Sequence, residues 1–580
     1  MSPQTERGWT AASCLSVAVV TLLGVGPIVD PDLGFHLATG RAVLAAGAIP
    51  ATNVLSFAAP DAIAVNQQWL PAVLFELAFS HGGPAAVVAI RLLVLALTCL
   101  VVVATARALG ARPLDVLAVV ALGASAAAFR FLDRPLLFSN LTNALTLLGL
   151  AWTRGGRPRA GLGLIAAMGA VGPQLHAGAV FGPLAVLAWC GAEALPAALP
   201  AALRTRLRLS AGATPVRETL APIAAAMLGL VVALALLGLY HPHPWRVLAV
   251  PFQMSGDRYL HEHLVEYRVP WAQPLALLAP YWLFLAALGA LLLGTLAAHL
   301  LEPSDDAPPA PQPPARPAPP PALPLGALAV AAFGVALSLT YARFVDLAVL
   351  FAAPLAAVLS SRLWRRSLIP RFVLGLSILA LAVRLVVVPP SAPILSAEAW
   401  PLALDGFLRR AHLVGPAFVQ DGWAGPFLAL HYPAERVFFH PAFDAYPPTF
   451  YREVYQRTRD GEPGWDRTLD HYGVQLALMK YTSPNERARQ QGRPNLRLRL
   501  ASSPRWALVA FDDYGVLFVR REGPNADAAR TLAIEGVDAD GLSLAADRAR
   551  VAESLRSFAT RGLPSERLDF LVRLAARPAR

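Results

Sequence analysis

Two carboxylates and a histidine stand close together after the first long apolar stretch of the sequence. Asp30 and Asp32 flank a proline, and His36 follows four residues later. Ionisable side chains beside a membrane are costly unless they face water or a ligand, which makes them functional-site candidates. A carboxylate within reach of a hydroxyl group can take its proton as a new bond forms. Either aspartate could act in this way, and the other could orient an acceptor or bind a divalent cation.

Further ionisable side chains recur beside later apolar stretches, at Arg134, His176, Glu266 and Arg343. Arginine suits phosphate because its planar guanidinium group makes paired, charge-assisted hydrogen bonds. Arg134 and Arg343 are therefore candidates to hold a lipid-linked phosphate. His36, His176 and Glu266 are candidates to contact the same phosphate or the hydroxyl groups of a sugar.

Each candidate also has a purely structural interpretation. Asp30 and Asp32 could cap the helix that begins near Leu33, because aspartate is a favoured N-cap residue. Arginines near a membrane surface often extend toward the headgroups, and a histidine can satisfy the backbone of a kinked helix. Glu266 and Tyr267 could form an interfacial pair without chemistry. The residue types alone leave both interpretations open.

The composition is typical of a membrane protein that crosses the bilayer many times. Of the 580 residues, 56% are hydrophobic and only 15% are charged, which is far from an average soluble protein. The net charge of +11 comes from arginines in short loops, without the basic, aromatic-rich surface that binds nucleic acid. We therefore exclude nucleic acid as a partner. The three cysteines lack the spacing of a disulfide framework or a zinc site.

The apolar stretches predict the elements that must position these candidates. A helix needs about 20 apolar residues to span a bilayer. By this measure we expect about eleven transmembrane helices, near residues 9–29, 84–108, 113–131, 135–153, 161–181, 182–200, 219–240, 274–301, 324–341, 344–361 and 371–389. Residues 67–82 are apolar but shorter, which indicates an interfacial or re-entrant segment.

Loop charges predict the orientation of these helices. Four arginine clusters share the cytoplasmic side if the N-terminus lies inside, in agreement with the positive-inside rule: Arg107 and Arg112; Arg154, Arg157 and Arg159; Arg204, Arg206, Arg208 and Arg217; and Arg362, Arg365, Arg366 and Arg371. The opposite face then receives loops 30–66 and 241–273 and everything after residue 390. All seven candidate residues lie at this predicted outer face.

Composition also divides the chain into five parts. We expect an N-terminal transmembrane bundle, a Pro-rich cytoplasmic linker, the last three transmembrane helices, an extracytoplasmic α/β domain and a helical tail, at 1–301, 302–324, 325–390, 391–524 and 525–580. Within the α/β domain, the turn residues Asp512 to Gly515 stand between two apolar runs and predict a β-hairpin.

A family resemblance is carried by several of these segments: Asp30-Pro-Asp-Leu-Gly-Phe-His36, Asn66-Gln-Gln-Trp69, Arg134-Pro135, Gln174-Leu-His176, Glu266-Tyr267 and Tyr341-Ala-Arg343. In the predicted outer domain it continues through Val437-Phe-Phe-His-Pro-Ala-Phe-Asp444-Ala-Tyr446 and Gly461-Glu-Pro-Gly-Trp465. Together these resemble bacterial polytopic membrane proteins related to the GT-C glycosyltransferases, of the protein O-mannosyltransferase and aminoarabinose transferase type. The resemblance covers most of residues 9–522 but not the tail.

The resemblance implies a reaction class. GT-C enzymes use polyprenyl-phosphate-linked sugars and place a catalytic acidic residue in the first outer loop, which implies that role for Asp30 or Asp32. We favour Asp32 as the base and Asp30 as the orienting residue or metal ligand. The sequence departs from the family pattern at Gly34-Phe35, where bulky aromatics are usual. It also departs at His241-Pro242 and at His440-Pro441-Ala442.

The sequence thus favours an inverting glycosyltransferase of the bacterial cytoplasmic membrane. It would move a sugar from a polyprenyl-phosphate carrier to an acceptor outside the cytoplasm, which could be a lipid, a glycan or a protein. Two other classes remain open. A transporter or lipid-handling protein would use polar groups at mid-membrane depth, and a non-catalytic envelope scaffold would tolerate the loss of both aspartates.

Overall fold

The computed structural model describes residues 3–200, 216–301, 324–364, 367–387, 389–392, 394–481, 495–563 and 565–576. Most of the predicted linker 302–324 lies outside this range. So do Arg204, Arg206 and Arg208 of one arginine cluster and Arg365 and Arg366 of another. By its contacts the chain divides into two compact units. The bundle unit comprises Met1–Gly26 and Val87–Pro393, and the loop–sheet unit comprises Pro27–Ala86 and Ile394–Arg580.

All regular secondary structure in the described part of the bundle unit is helical. Its long helices are α1 (Pro3–Gly24), the second half of α3 (Trp69–Ala108), α4 (Pro113–Ala127), α5 (Leu136–Arg154), α6 (Pro158–Leu175), α7 (Phe181–Ala198), α8 (Val216–Tyr240), α11 (Leu275–Leu301), α12 (Leu325–Thr340), α13 (Val345–Leu363) and α14 (Ile369–Val387). Two short helices, α9 (Pro244–Gly256) and α10 (Arg258–His263), lie between α8 and α11.

Nine helices in the described residues are long and apolar enough to cross a membrane: α1, α3, α4, α5, α7, α8, α11, α13 and α14. The other two expected spans are also helical. However, α12 is shorter, with 16 residues, and α6 does not reach the same measure of length and apolarity. The expected number of about eleven spans therefore becomes about nine.

Helix α13 forms the centre of the bundle unit. Nearly all of its side chains are buried, and it packs against α4, α5, α11 and α12. Small residues allow these helices to approach closely, as in other membrane proteins. A Cβ atom on Gly334 would lie 3.1 Å from the Cα atom of Ala348, and one on Gly123 would lie 2.7 Å from a methyl carbon of Val349.

Helix α3 is broken where the sequence predicts a boundary. Gly83 has φ 61° and ψ −156°, which is not helical, and Pro84 follows it. Glycine adopts such a positive φ at little cost, and proline cannot continue the preceding helix hydrogen bonds. The predicted short segment 67–82 is therefore a helical half of its own.

The loop–sheet unit contains a four-stranded sheet and its surrounding helices. The strands are β1 (Ala417–Val419), β2 (Leu476–Lys480), β3 (Trp506–Phe511) and β4 (Gly515–Arg520), in the order β1-β2-β4-β3. Strands β1 and β2 are parallel, and the other pairs are antiparallel. Because β3 and β4 pair across residues 512–514, the predicted hairpin is confirmed. A two-stranded sheet, β5 (Val537–Asp538) and β6 (Ser543–Leu544), follows.

The helices of this unit are α2 (Asp32–Ala46), the first half of α3, α15 (Leu402–Arg410), α16 (Asp421–His431), α17 (Arg457–Arg459), α18 (Trp465–His471), α19 (Leu496–Ser502), α20 (Ala526–Thr531), α21 (Arg548–Ala559) and α22 (Glu566–Ala575). A π-helical segment, Phe450–Gln456, leads directly into α17. The mostly helical architecture with a small C-terminal sheet agrees with the predicted fold class.

The predicted tail is attached to the sheet. The carboxylate of Asp513, in the hairpin turn, accepts hydrogen bonds from the Ser565 hydroxyl at 2.7 Å and from the Arg567 backbone at 3.0 Å. It therefore satisfies N–H groups at the start of α22, where a negative charge is favourable. The Arg567 guanidinium also lies 3.9 Å from the centre of the Tyr481 ring.

The first loop belongs to the loop–sheet unit, whereas the sequence placed loop 30–66 in the N-terminal bundle. Helix α2 packs so closely on α16 that a Cβ atom on Gly34 would lie 2.1 Å from the carbonyl carbon of Gly425. Arg41 donates to the carbonyl oxygens of Ala429 and Tyr432 at 3.0 and 2.8 Å. These partners lie almost 400 residues away in the chain, so local sequence patterns carry no signal for them.

Candidate functional site

Three arginine side chains of the bundle unit meet around one carboxylate. Glu266 Oε2 accepts hydrogen bonds from Arg130 Nη1 at 3.2 Å and from Arg134 Nη1 at 3.4 Å. Arg343 Nη1 lies 3.7 Å from Glu266 Oε1. We call Arg130, Arg134, Glu266 and Arg343 the arginine–glutamate cluster. Three of its members were candidates from the sequence, and they come from three separate parts of the chain.

Local structure explains how the cluster is held. Arg130 ends a 3-10 turn after α4, and Arg134 precedes the start of α5. Glu266 lies in a 3-10 turn, Val265–Tyr267, and Arg343 lies in another, Ala342–Phe344. The backbone N–H of Ala342 donates to the carbonyl oxygen of Arg268 at 2.9 Å. This bond ties the two turns together beside the carboxylate.

Aromatic rings support the arginine that the sequence singled out. The Arg343 guanidinium lies 4.3 Å from the centre of the Tyr267 ring, a geometry that stabilises a cation. Tyr267 also stacks on His261, whose Nδ1 lies 3.4 Å from the Tyr341 hydroxyl. The side chain of Arg343 is 24% exposed, so it is held in place and still reachable.

The electrostatics of the cluster favour an anionic ligand. Burial by itself would raise the pKa of Glu266, but Arg343, Arg134 and Arg130 outweigh it and lower the pKa well below its ordinary value. Glu266 is therefore ionised at neutral pH and aligns the guanidinium groups. Three guanidinium groups surround one carboxylate, which leaves an excess of positive charge. Such an arrangement suits a phosphate group.

His176 lies near this cluster and has structural partners. Its Nδ1 accepts a hydrogen bond from the backbone N–H of Gly178 at 3.0 Å and lies 2.7 Å from the Ser139 hydroxyl. It also interacts electrostatically with Arg343 and Arg134. These bonds fix the ring at the break between α6 and the 3-10 turn Ala177–Val180. The interpretation as a packed polar residue therefore accounts for part of its environment.

Asp30, Asp32 and His36 lie in the loop–sheet unit. The carboxylate of Asp30 is buried, and its Oδ1 accepts the backbone N–H of Asp32 at 3.0 Å. Asp32 is the first residue of α2 and is half-buried. Asp30 thus supports the start of this helix, as its structural interpretation expects, while Asp32 is the more accessible of the two carboxylates.

His36 lines a narrow pocket together with residues from the other end of the chain. The pocket also contains Asn53, His440 and Asp444, and we call it the loop pocket. His440 Nε2 lies 2.9 Å from Asn53 Oδ1. The Phe35 ring contacts both His36 and His440, with centroid distances of 4.1 and 5.9 Å. Two segments of the family resemblance, separated by 400 residues, therefore meet here.

Burial alters the titration of the loop pocket. It raises the pKa of Asp444 to about 6, against a smaller opposing effect from a hydrogen bond to its own backbone. It lowers the pKa of His440 to about 3. Burial therefore shifts the equilibrium of both groups toward their neutral forms, because the charged forms lose hydration in this environment.

Sequence reasoning did not single out Arg130, Asn53, His440 and Asp444 as functional residues. Arg130 carried a detectable signal, since it stands three residues before Asp133 at the end of an apolar stretch. His440 and Asp444 were noted only within the family resemblance. Among the described residues, no three or more His, Cys, Asp or Glu side chains are grouped to hold a metal ion.

Comparison with known proteins identifies the fold but no sequence family. No family model matches the chain, and no curated protein does. The Archaeoglobus fulgidus oligosaccharyltransferase, solved with a tethered acceptor peptide, superposes with a TM-score of 0.51 at 10% identity, over 89% of this chain and 74% of its own. The mycobacterial arabinofuranosyltransferase AftD superposes with a TM-score of 0.51 at 16% identity, over 90% of this chain.

This chain spans 42% of the length of AftD. Both neighbours are membrane glycosyltransferases, and the similarity supports the GT-C-like fold that the sequence resemblance implied. At 10–16% identity the likeness concerns the fold alone. The protein is thus a multi-pass membrane protein with a GT-C-like fold.

Proposed function

We propose that this protein is an inverting membrane glycosyltransferase that uses a polyprenyl-phosphate-linked sugar. The arginine–glutamate cluster is the observation that carries the proposal. It combines excess positive charge, partial exposure and a position at helix ends of an apolar bundle. In a GT-C-like fold these properties suit the phosphate of a lipid-linked donor. The glycosyltransferase names of the neighbours support the same class.

An apolar cleft in the bundle unit supports a lipid donor. Its lining includes Cys99, Val102, Ala124 and Leu350, and it also includes the polar side chain of Asp346. Asp346 lies three residues after Arg343 in the chain, at the start of α13. A prenyl chain is apolar along its length and carries its phosphate at one end, so a mostly apolar cleft that reaches α13, the helix after Arg343, suits such a molecule.

The proposed chemistry is a single displacement. The acceptor hydroxyl gives its proton to Asp32 as its oxygen forms a bond to the anomeric carbon of the sugar. The bond from that carbon to the phosphate oxygen breaks, and the lipid phosphate leaves with the electron pair. Arg134 and Arg343 stabilise the negative charge on this leaving group. The attack from the opposite side inverts the anomeric configuration.

The structure favours a division of labour between the two aspartates. Asp30 is buried and bonded to the backbone of Asp32, so it suits an orienting role. Asp32 is more accessible and suits the role of base. We further propose that the N-terminus lies inside a bacterial cytoplasmic membrane and that residues 391–524 face outward, where the acceptor is an envelope lipid, glycan or protein.

The base is tested by transfer from labelled polyprenyl-phosphate sugars to envelope extracts. We expect Asp32→Asn to lower kcat by about 10²–10⁴, the usual contribution of a general base, while the donor KM changes little. The matched control is Asp61→Asn, in the same loop but exposed. Transfer that persists undiminished in both Asp30→Asn and Asp32→Asn would contradict the assignment and favour a scaffold.

The donor site is tested separately. We expect Arg343→Ala to raise the donor KM, because it removes a cation from the proposed phosphate site. Arg258→Ala is the control, since Arg258 lies between α8 and α11, as Glu266 does, but its side chain is 90% exposed. An unchanged donor KM in Arg343→Ala, with wild-type folding, would remove the cluster from the proposed site.

A further inference from the structure

An open cleft of about 510 Å³ lies in the loop–sheet unit, apart from the residues described above. Its walls come from the π-helical segment Phe450–Gln456, from α17 and from α18, with the intervening loop at 460–464. This volume is within the usual range for small-molecule sites, about 300–1,000 Å³. No residue of the arginine–glutamate cluster or of the loop pocket lines it.

The helix along one wall has an unusual geometry. Phe450–Gln456 forms seven residues of π-helix, and two of its residues, Glu453 and Val454, line the cleft. π-Helical turns are rare and occur frequently at functional sites. Its other face is anchored in the core, where the Tyr455 ring stacks on Phe439 at 4.1 Å. The wall is therefore rigid as well as irregular.

Two aromatic side chains, Trp465 and Tyr472, line the cleft. Trp465 is half-buried and begins α18, directly after Gly464, which has φ 96°. Its backbone N–H donates to the carbonyl oxygen of Glu462 at 3.1 Å. Tyr472 follows the other end of α18, and its ring packs edge-on against the buried Phe438 at 5.0 Å. The cleft thus has aromatic surfaces at both ends of one helix.

The charged groups of the cleft balance one another. The lining residues include two arginines, Arg457 and Arg467, and two glutamates, Glu453 and Glu462. The Nε atom of Arg457 lies 2.9 Å from Glu462 Oε2. A balanced lining attracts neither a polyanion nor a polycation strongly. It does provide hydrogen-bond donors and acceptors, and Thr468 adds a hydroxyl group.

We propose that this cleft binds a neutral carbohydrate of one or two sugar rings. The C–H face of a sugar carries slight positive charge and packs on the negative face of an aromatic ring. The hydroxyl groups of the sugar need both hydrogen-bond donors and acceptors, which Arg457 and Glu462 supply. Binding requires no transfer reaction, so the inference stands or falls independently of the proposed enzyme activity.

Binding is tested with the full-length protein in lipid nanodiscs, against an array of neutral gluco-, galacto- and manno-oligosaccharides. Anionic heparin and hyaluronan fragments serve as the charged comparison. We expect micromolar to millimolar binding of at least one neutral series, and about tenfold weaker binding in Trp465→Ala, as the loss of a stacking contact predicts. Trp271→Ala is the matched control, because Trp271 is 67% exposed and lies in the bundle unit.

Two further variants separate binding from folding. Trp465→Phe keeps an aromatic face and should keep most of the affinity, and Arg467→Ala should weaken binding without loss of thermal stability. The proposal is overturned if the wild-type protein binds no neutral glycan, if it prefers the anionic fragments, or if folded Trp465→Ala binds as well as the wild type. In each of these cases the proposed transfer activity is unaffected.

Discussion

Replacement of Glu266 by glutamine tests the electrostatics of the arginine–glutamate cluster. The substitution keeps the size of the side chain and removes the charge that three arginines share. At 3.4 Å and an effective dielectric constant of about 20, one such pair is worth roughly 5 kcal/mol before desolvation is counted. Glu266 is 28% exposed and pays a desolvation cost, so we expect a net destabilisation of about 1–3 kcal/mol.

The assay is thermal and chemical unfolding of the purified protein in detergent, with the neighbouring Glu262→Gln as control. Glu262 pairs with Arg258 at 2.6 Å, but these side chains are 51% and 90% exposed. Exposed pairs of this kind contribute well under about 1 kcal/mol. We also expect the Glu266→Gln effect to persist at high salt, because partly buried pairs are screened less than exposed ones.

The pH dependence adds a second check on Glu266. Its pKa is lowered in the folded protein, so its stabilising contribution is complete above the unfolded pKa of about 4.3. That contribution is lost as the pH falls through the lower folded pKa. The difference between the wild type and Glu266→Gln should therefore be constant above about pH 5. Equal destabilisation by Glu266→Gln and Glu262→Gln would refute the reasoning.

Two other predictions concern the loop–sheet unit. Gly34→Ala should prevent α2 from packing, because the new Cβ atom would lie 2.1 Å from the Gly425 carbonyl carbon. Gly26→Ala is the control, since a Cβ atom there has no neighbour within 4 Å. Limited proteolysis of the first loop compares the two variants, and equal resistance would contradict the packing of α2. Asp444 has a raised pKa of about 6, so its cost to stability grows as the pH rises from about 4 to 6 and stays constant above. Asp444→Asn should therefore stabilise the unit above pH 6, by about 1–3 kcal/mol, as measured by hydrogen exchange. His440 has its pKa lowered to about 3, so its effect on stability changes in the opposite direction over the same pH range. An Asp444→Asn variant that is no more stable than the wild type at pH 7 would contradict the burial of Asp444.

The apolar helices were predictable from the sequence because their signal is local. A bilayer requires about 20 apolar residues in succession, and this pattern can be read without knowledge of any partner. The break at Gly83 and the hairpin at 512–515 were also predictable, since glycine, proline and aspartate act on their own backbone. Helices α6 and α12 show the limit of this approach, because both are helical as expected but fall short of the length or apolarity of the nine candidate spans in the described residues.

The candidate site was predictable only in part. Arg134, Glu266 and Arg343 were identified by residue type beside apolar stretches, and the structure brings them to one place. Arg130 was missed because Glu266, the carboxylate that it contacts, lies 136 residues away in the chain. The partners of His36 were missed for a related reason. Asn53, His440 and Asp444 become neighbours only when the first loop packs on the C-terminal sheet.

The sequence by itself thus determined the membrane class, most helix positions and the types of side chain available for chemistry. Each of these depends on one contiguous stretch of the chain, of about 20 residues for a membrane span. Only the tertiary structure decided that the first loop belongs with the C-terminal unit, that Glu266 gathers three arginines, and that a charge-balanced cleft follows the π-helical segment. The first two features depend on steric fit and charge between residues far apart in the chain, as at Gly34 and Gly425 and at Arg130 and Glu266, and such contacts leave no periodic pattern in a single sequence.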